Sequence, residues 1–295
     1  MSTAADAALA PGLPPTLRLG PVHLTVSTLD GSIAFYERAL GLQLHDRDRD
    51  RDVATMGVGG RDLLVLVEET GAAPGGRHAG LYHFALAFES RRELARAVRR
   101  LAGTQMRIEA TSDHGVCESV YLRDPDDNGI ELCADRPRER WPAPRVAGAR
   151  VEIFTIALDM DDLMGEIDGE QPRPQAGAGL VVGHLHLHVG DVEQGLAFYR
   201  DLLGFELMLT LPGAALLAAG GYHHHLAFNV WLGRDVKPRP ERTAGLREWT
   251  VLLASRDEVA AVRARVAGAG LRVDAHRGGF RVRDPWETAV VFRQG

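Results

Sequence analysis

Val22-His23-Leu24-Thr25-Val26 is followed by seven residues and then by Ala34-Phe35-Tyr36-Glu37-Arg38-Ala39-Leu40-Gly41. The pattern returns as Leu185-His186-Leu187-His188-Val189, seven residues, and Ala197-Phe198-Tyr199-Arg200-Asp201-Leu202-Leu203-Gly204. Two further blocks recur in the same order. Gly80-Leu81 leads to Ser90-Arg91-Arg92-Glu93-Leu94, as Gly245-Leu246 leads to Ser255-Arg256-Asp257-Glu258-Val259; Arg123-Asp124-Pro125 answers Arg283-Asp284-Pro285. Three matches in order define two homologous halves, 18–140 and 181–295. Residues 1–17 read as a flexible N-terminal arm, and residues 141–180, which end in a Pro/Gly/Gln-rich stretch, read as a linker.

A chain of 295 residues is long enough for two domains that each bury a core. Apolar residues at 45% and charged residues at 25% fit a globular protein. The net charge of −6 disfavours nucleic acid as a partner, because phosphate binding needs clustered positive charge. Cys117 and Cys133 make no disulfide framework for a chain of this size. No apolar run reaches the length of a membrane span, and the start lacks the pattern of a signal peptide, so a cytoplasmic location is expected.

Each half reads as strand, helix and strands, twice over. Residues 30–40 place Ile33, Phe35, Tyr36 and Leu40 at helical spacing, with Asp30 positioned to cap the start and Gly41 to end it. Residues 91–101 form an amphipathic helix with Leu94, Val98 and Leu101 on one face. Asp124-Pro125-Asp126-Asp127-Asn128-Gly129 carries the chemistry of a tight turn, so the strands on either side form a hairpin. An EF-hand would need a downstream Glu at a spacing this loop lacks.

The strand His, the Phe-Tyr helix ending in Leu-Gly, Gly80-Leu81-Tyr82-His83 and the Asp-Pro-x-x-Asn-Gly-Ile-Glu hairpin resemble the vicinal oxygen chelate superfamily. Within it they are most similar to two-domain catechol 2,3-dioxygenase-like proteins. Further matches are Ser112-Asp113-His114-Gly115-Val116, Asp135-Arg136-Pro137 and Gly221-Tyr222-His223-His224-His225. The resemblance implies an α+β fold of two tandem domains, each of paired βαβββ modules curling into an open barrel around a metal. It also implies an Fe(II) extradiol dioxygenase, with Mn(II) the alternative metal, acting on a small aromatic diol and O2, and commonly a homo-oligomer.

On this resemblance the metal ligands are expected to be His23, His83 and Glu131. The two histidines stand at equivalent places in apolar strands, and a carboxylate in an apolar final strand calls for a partner or a metal. Two imidazoles and a carboxylate on one face leave open positions for a bidentate substrate and O2. His114 and Tyr121 are the expected catalytic residues, as acid or base and as a contact to the diol.

Carried across the repeat, His23 falls on His186, His83 on Glu248 and Glu131 on Val291. The second half should therefore hold no equivalent site. It nonetheless carries His184, His186 and His188 on one strand face, and His223, His224 and His225 together. In some extradiol dioxygenases a His pair ahead of an apolar strand, as in His224-His225-Leu226-Ala227-Phe228, supplies an acid-base His. Either the second half reaches toward the first site, or these residues belong to a degenerate pocket; the latter is favoured here. Two other function classes fit the same scaffold: a metal-dependent glyoxalase-type isomerase or lyase, and a non-enzymatic drug-binding protein.

Overall fold

A computed structural model describes residues 12–104 and 106–295. Four βαβββ modules follow one another along the chain. The first is β1 (Arg18–Val26), α1 (Leu29–Phe35), β2 (Gln43–Asp48), β3 (Val53–Val58) and β4 (Arg61–Glu68). The second is β5 (Gly80–Phe88), α2 (Arg91–Ala102), β6 (Ala110–Asp113), β7 (Cys117–Arg123) and β8 (Gly129–Asp135). After a short α3 (Met160–Gly165) comes the third: β9 (Val181–His188), α4 (Val192–Leu196), β10 (Glu206–Leu211), β11 (Ala214–Ala218) and β12 (Leu226–Asn229). The fourth is β13 (Gly245–Leu253), α5 (Arg256–Gly268), β14 (Asp274–His276), β15 (Gly279–Arg283) and β16 (Ala289–Gln294).

The modules assemble into two eight-stranded mixed sheets, in the order β14-β15-β16-β13-β1-β4-β3-β2 and β10-β11-β12-β9-β5-β8-β7-β6. This corrects the pairing expected from the repeat. Each sheet takes one module from each half, joined by antiparallel β1–β13 in one case and β5–β9 in the other. The α+β class and the βαβββ unit are as expected, but modules 1 and 2 do not share a barrel. Across the two seams His23 lies opposite Glu248, and His186 lies opposite His83, so the internal correspondence is kept in the registers.

Within each half, the modules are fastened across the two sheets by a buried pair. The Tyr36 hydroxyl donates to Asp124 Oδ2 at 2.8 Å, and the Tyr199 hydroxyl donates to Asp284 Oδ2 at the same distance. Both tyrosines are fully buried, and both aspartates also organise the turn into the last strand by accepting backbone N–H bonds. The helix beginning at Leu29 has Thr28, not Asp30, at its N-cap position; Asp30 sits in the first turn and pairs with Arg47. That helix widens into a π-turn over Tyr36–Leu40 and stops at Gly41, whose φ of 71° suits glycine. In α2, Ser90 accepts from the Glu93 N–H, and Leu94, Val98 and Leu101 are buried, as their spacing predicts.

Two expected connecting segments are packed. Leu13 and Leu17 are buried, and Leu13 N–H donates to Gly204 O, so the described end of the N-terminal arm is docked; residues 1–11 lie outside the described residues. The segment read as linker lies against α2. Arg91 pairs with Asp162, Arg96 pairs with Glu170 and Arg99 donates to Ile167 O, while Leu163 and Ile167 are fully buried. No helix among the described residues is long and apolar enough to cross a membrane.

Removing one hydroxyl tests the cross-sheet fastening. Tyr36→Phe strands a buried acceptor and is expected to lower stability by about 1–3 kcal/mol. A urea midpoint unchanged from the parent protein would show that the Tyr36–Asp124 bond contributes nothing.

Candidate metal centre

Three neighbouring strands of the second sheet converge on one point. In the β5–β9 register Ala85 lies opposite His184, and in the β5–β8 register the same Ala85 lies beside Glu131. His83, two residues earlier on β5, shares the face of Ala85. Because the central position carries only a methyl group, the three longer side chains close over it. His83 Nε2 lies 3.0 Å from Glu131 Oε2, and His184 Nε2 lies 3.1 Å from the same oxygen. All three residues are buried.

These separations match cis donors around a cation held at about 2.1 Å, which stand roughly 3 Å apart. The other Glu131 oxygen accepts from Ser119 Oγ at 2.6 Å, an outer hydrogen bond that orients the carboxylate. Among the described residues His184 Nδ1 is buried without a hydrogen-bond partner, and the ring's hydrogen bonding is through Nε2. The donor set fits a divalent metal ion.

The electrostatics agree. Burial drives the His83 imidazole below its ordinary value, although the Glu131 carboxylate opposes it, which favours the neutral ring a metal requires. Burial raises the Glu131 carboxyl, but His184 and His83 more than offset this and hold it well below the usual carboxylate range. His186 is pushed well below its usual value by burial and then by His83, and its Nε2 is engaged by Asn229 Nδ2 at 2.8 Å. His184, not His186, is thus the β9 side chain that meets Glu131.

The centre opens into a cavity of about 350 Å³, whose lining includes His83, His114, Tyr121, Glu131, His186 and His224. Tyr121 is the cross-strand neighbour of Glu131. Its hydroxyl lies 2.8 Å from His114 Nε2, while His114 Nδ1 lies 2.9 Å from Phe154 O. A carbonyl only accepts, so His114 Nδ1 carries a hydrogen, and Nε2 without one accepts the Tyr121 O–H. Burial, then the Glu131 charge, raises the Tyr121 phenol well above its usual value and keeps it protonated. Gly115, at φ 78°, permits the close approach of Phe154; a Cβ there would stand 2.7 Å from its ring.

The family model for the Glyoxalase/Bleomycin resistance protein/Dioxygenase superfamily matches residues 18–132 and 181–292. The chain belongs to this superfamily. A catechol-2,3-dioxygenase of Bacillus subtilis (strain 168) is 38% identical over 277 residues, covering 92% of this chain and 95% of that protein. Among solved structures of the superfamily fold, glyoxalase I from Zea mays aligns with a TM-score of 0.57 at 17% identity, over 95% of this chain and 92% of that one. The cppA protein of Streptococcus pneumoniae TIGR4 aligns with a TM-score of 0.56 at 13% identity, over 94% and 99%.

Of the expected ligand set the structure brings two residues together and places the third elsewhere. His83 and Glu131 meet, and His114 and Tyr121 stand beside them, but His23 lies in the other sheet. There its Nδ1 is 3.5 Å from Glu248, which also pairs with His276 and Arg281. The physical reason is the exchange of modules: β1 pairs with β13, so the strand His delivered to His83 comes from β9. The shared strand face of His184, His186 and His188 was the available signal. Its partner strand was not legible, so the second half's reach toward the first site could not be preferred.

His184→Ala, His83→Ala and Glu131→Ala should each abolish retention of a stoichiometric metal, whereas His23→Ala should leave it intact. Metal analysis of the purified variants decides between the two ligand sets.

Proposed function

We propose that this protein is an extradiol ring-cleavage dioxygenase that opens a catechol-like diol with O2 at the centre formed by His83, His184 and Glu131. The observation that carries this is the donor set itself. His83 and Glu131 line the cavity, buried His184 completes the set 3.1 Å from the same Glu131 oxygen, and a second pair of protic groups, His114 and Tyr121, lines the cavity too. The 38% identity to a catechol-2,3-dioxygenase over most of both chains supports the same reading. Bound here, Fe(II), or Mn(II) as the alternative, supplies the electron transfer between an aromatic diolate and dioxygen.

The chain's own residues bind the ring and manage its protons. Val116, Ile153, Leu216 and Ala227 give the cavity an apolar wall, against which an aromatic ring displaces water. Tyr121 places its hydroxyl beside the Glu131 carboxylate; with its own O–H donated to His114 Nε2, the phenol oxygen accepts the O–H of a diol reaching the centre. His114 is held by Phe154 O at one nitrogen and by Tyr121 at the other, so it takes up or returns a proton through the phenol without reorienting. The strap carrying Ile153, Phe154 and Thr155 thus closes the cavity and fixes the acid-base ring.

Protein loaded anaerobically with Fe(II) should consume O2 on addition of catechol and form a yellow ring-opened product. Tyr121→Phe should bind metal normally and lose about 10²–10⁴-fold in kcat. One Fe(II) per chain with no oxygen consumption across a panel of catechols would defeat the proposal.

A further inference from the structure

Further along the same two strands, a second group of unlike donors gathers. Glu131 and Asp135 are four residues apart on β8, as Tyr121 and Cys117 are on β7, so all four point to one side of the sheet. Cys117 is the cross-strand neighbour of Asp135, as Tyr121 is of Glu131, about 13 Å away along the strands. His223 reaches the same place from the loop between β11 and β12, in the other half of the chain. One donor atom from each of Cys117, Asp135 and His223 lies within 4.8 Å of the others, and Cys117 and His223 are buried.

The arrangement repeats that of the first centre. There an imidazole Nε2 stands 3.0 Å from one oxygen of Glu131, and the other oxygen accepts from the Ser119 hydroxyl. Here His223 Nε2 stands 3.0 Å from Asp135 Oδ1, and Oδ2 accepts from the Tyr222 hydroxyl at 2.7 Å. The ring is also held from its far side, where His223 Nδ1 lies 2.8 Å from His224 Nδ1. A nucleophile relay would need thiol and carboxylate on opposite nitrogens of one ring. With Nδ1 engaged by His224 and Nε2 by Asp135, no ring nitrogen is left to serve the thiol as a base.

We infer that Cys117, Asp135 and His223 form a second metal site, for zinc, distinct from the centre at Glu131. A set of thiolate, imidazole and carboxylate suits zinc better than the harder manganese. Donors at zinc's bond lengths of about 2.0–2.3 Å stand roughly 3.3–3.8 Å apart, so the present span closes with at most about 1 Å of movement at the Cys117 side chain. Burial pushes the Cys117 thiol well above its usual value, and its proton leaves to water as the sulfur takes the metal. Zinc here ties the β7–β8 hairpin of the first half to the β11–β12 loop of the second, the loop that carries the cavity-lining His224. Such a fastening binds only the folded chain and raises its Tm.

Metal-stripped protein reloaded with excess Zn(II) and desalted should retain two equivalents per chain. Cys117→Ser and Asp135→Asn should each lose one of them, and His83→Ala should lose the other. Anaerobic loading with Co(II) tells the two apart: the parent protein and His83→Ala should show the intense near-ultraviolet band of sulfur-to-cobalt charge transfer, and Cys117→Ser should lack it. A single zinc equivalent in the parent protein, or cobalt-loaded parent protein without that band, overturns the inference whether or not the variants fold. So does a second equivalent that Cys117→Ser retains. None of these measurements reads oxygen consumption, so the inference stands or falls apart from the dioxygenase reading.

Discussion

The registers of β5 against its two neighbours are the constraint on which the site depends. Ala85 has His184 on one side and Glu131 on the other, and His83 stands two residues away on the same face. Strand side chains alternate, so a slip of one residue in either seam would turn a donor to the opposite face. The position between the donors must also be small. A longer side chain at Ala85, which is fully buried, would occupy the volume where three polar atoms now come within 4.8 Å of one another.

The other sheet carries a different grouping on the same scaffold. By the correspondence of the halves, Pro21, Glu248 and Val291 stand where His184, His83 and Glu131 stand in the second sheet. Pro21 falls at an irregularity in β1, where the register to β13 shifts between Leu19 and Val22. Glu248 is the carboxylate there, and His23, His276 and Arg281 surround it as ion-pair and hydrogen-bond partners. One sheet gathers two imidazoles around a carboxylate; its counterpart pairs its carboxylate with guanidinium as well. The difference lies between two sheets that each draw on both halves of the chain.

Residues 141–180 illustrate how composition misleads. Their Pro, Gly and charged residues suit a solvated connection, yet the arginines of α2 hold the segment down, and its earlier part lines the cavity at Ile153 and Thr155. The acidic residues of the segment have meaning only once the exposed face of α2 is known to be their partner. Such long-range ion pairs leave no periodicity to read.

The sequence by itself determined the four βαβββ modules, because apolar period, turn chemistry and the twofold repeat are local properties. It also determined that His83, Glu131, His114 and Tyr121 belong together, since all four lie in one module and hairpin geometry fixes their spacing. Tertiary structure alone brought His184 to His83 and Glu131, placed His23 beside Glu248 in the other sheet, and joined Asp135 to His224 through His223. Each of those contacts crosses between modules far apart in the chain. Which module edges pair is settled by the burial of whole sheet faces, a sum over many side chains that no single motif carries.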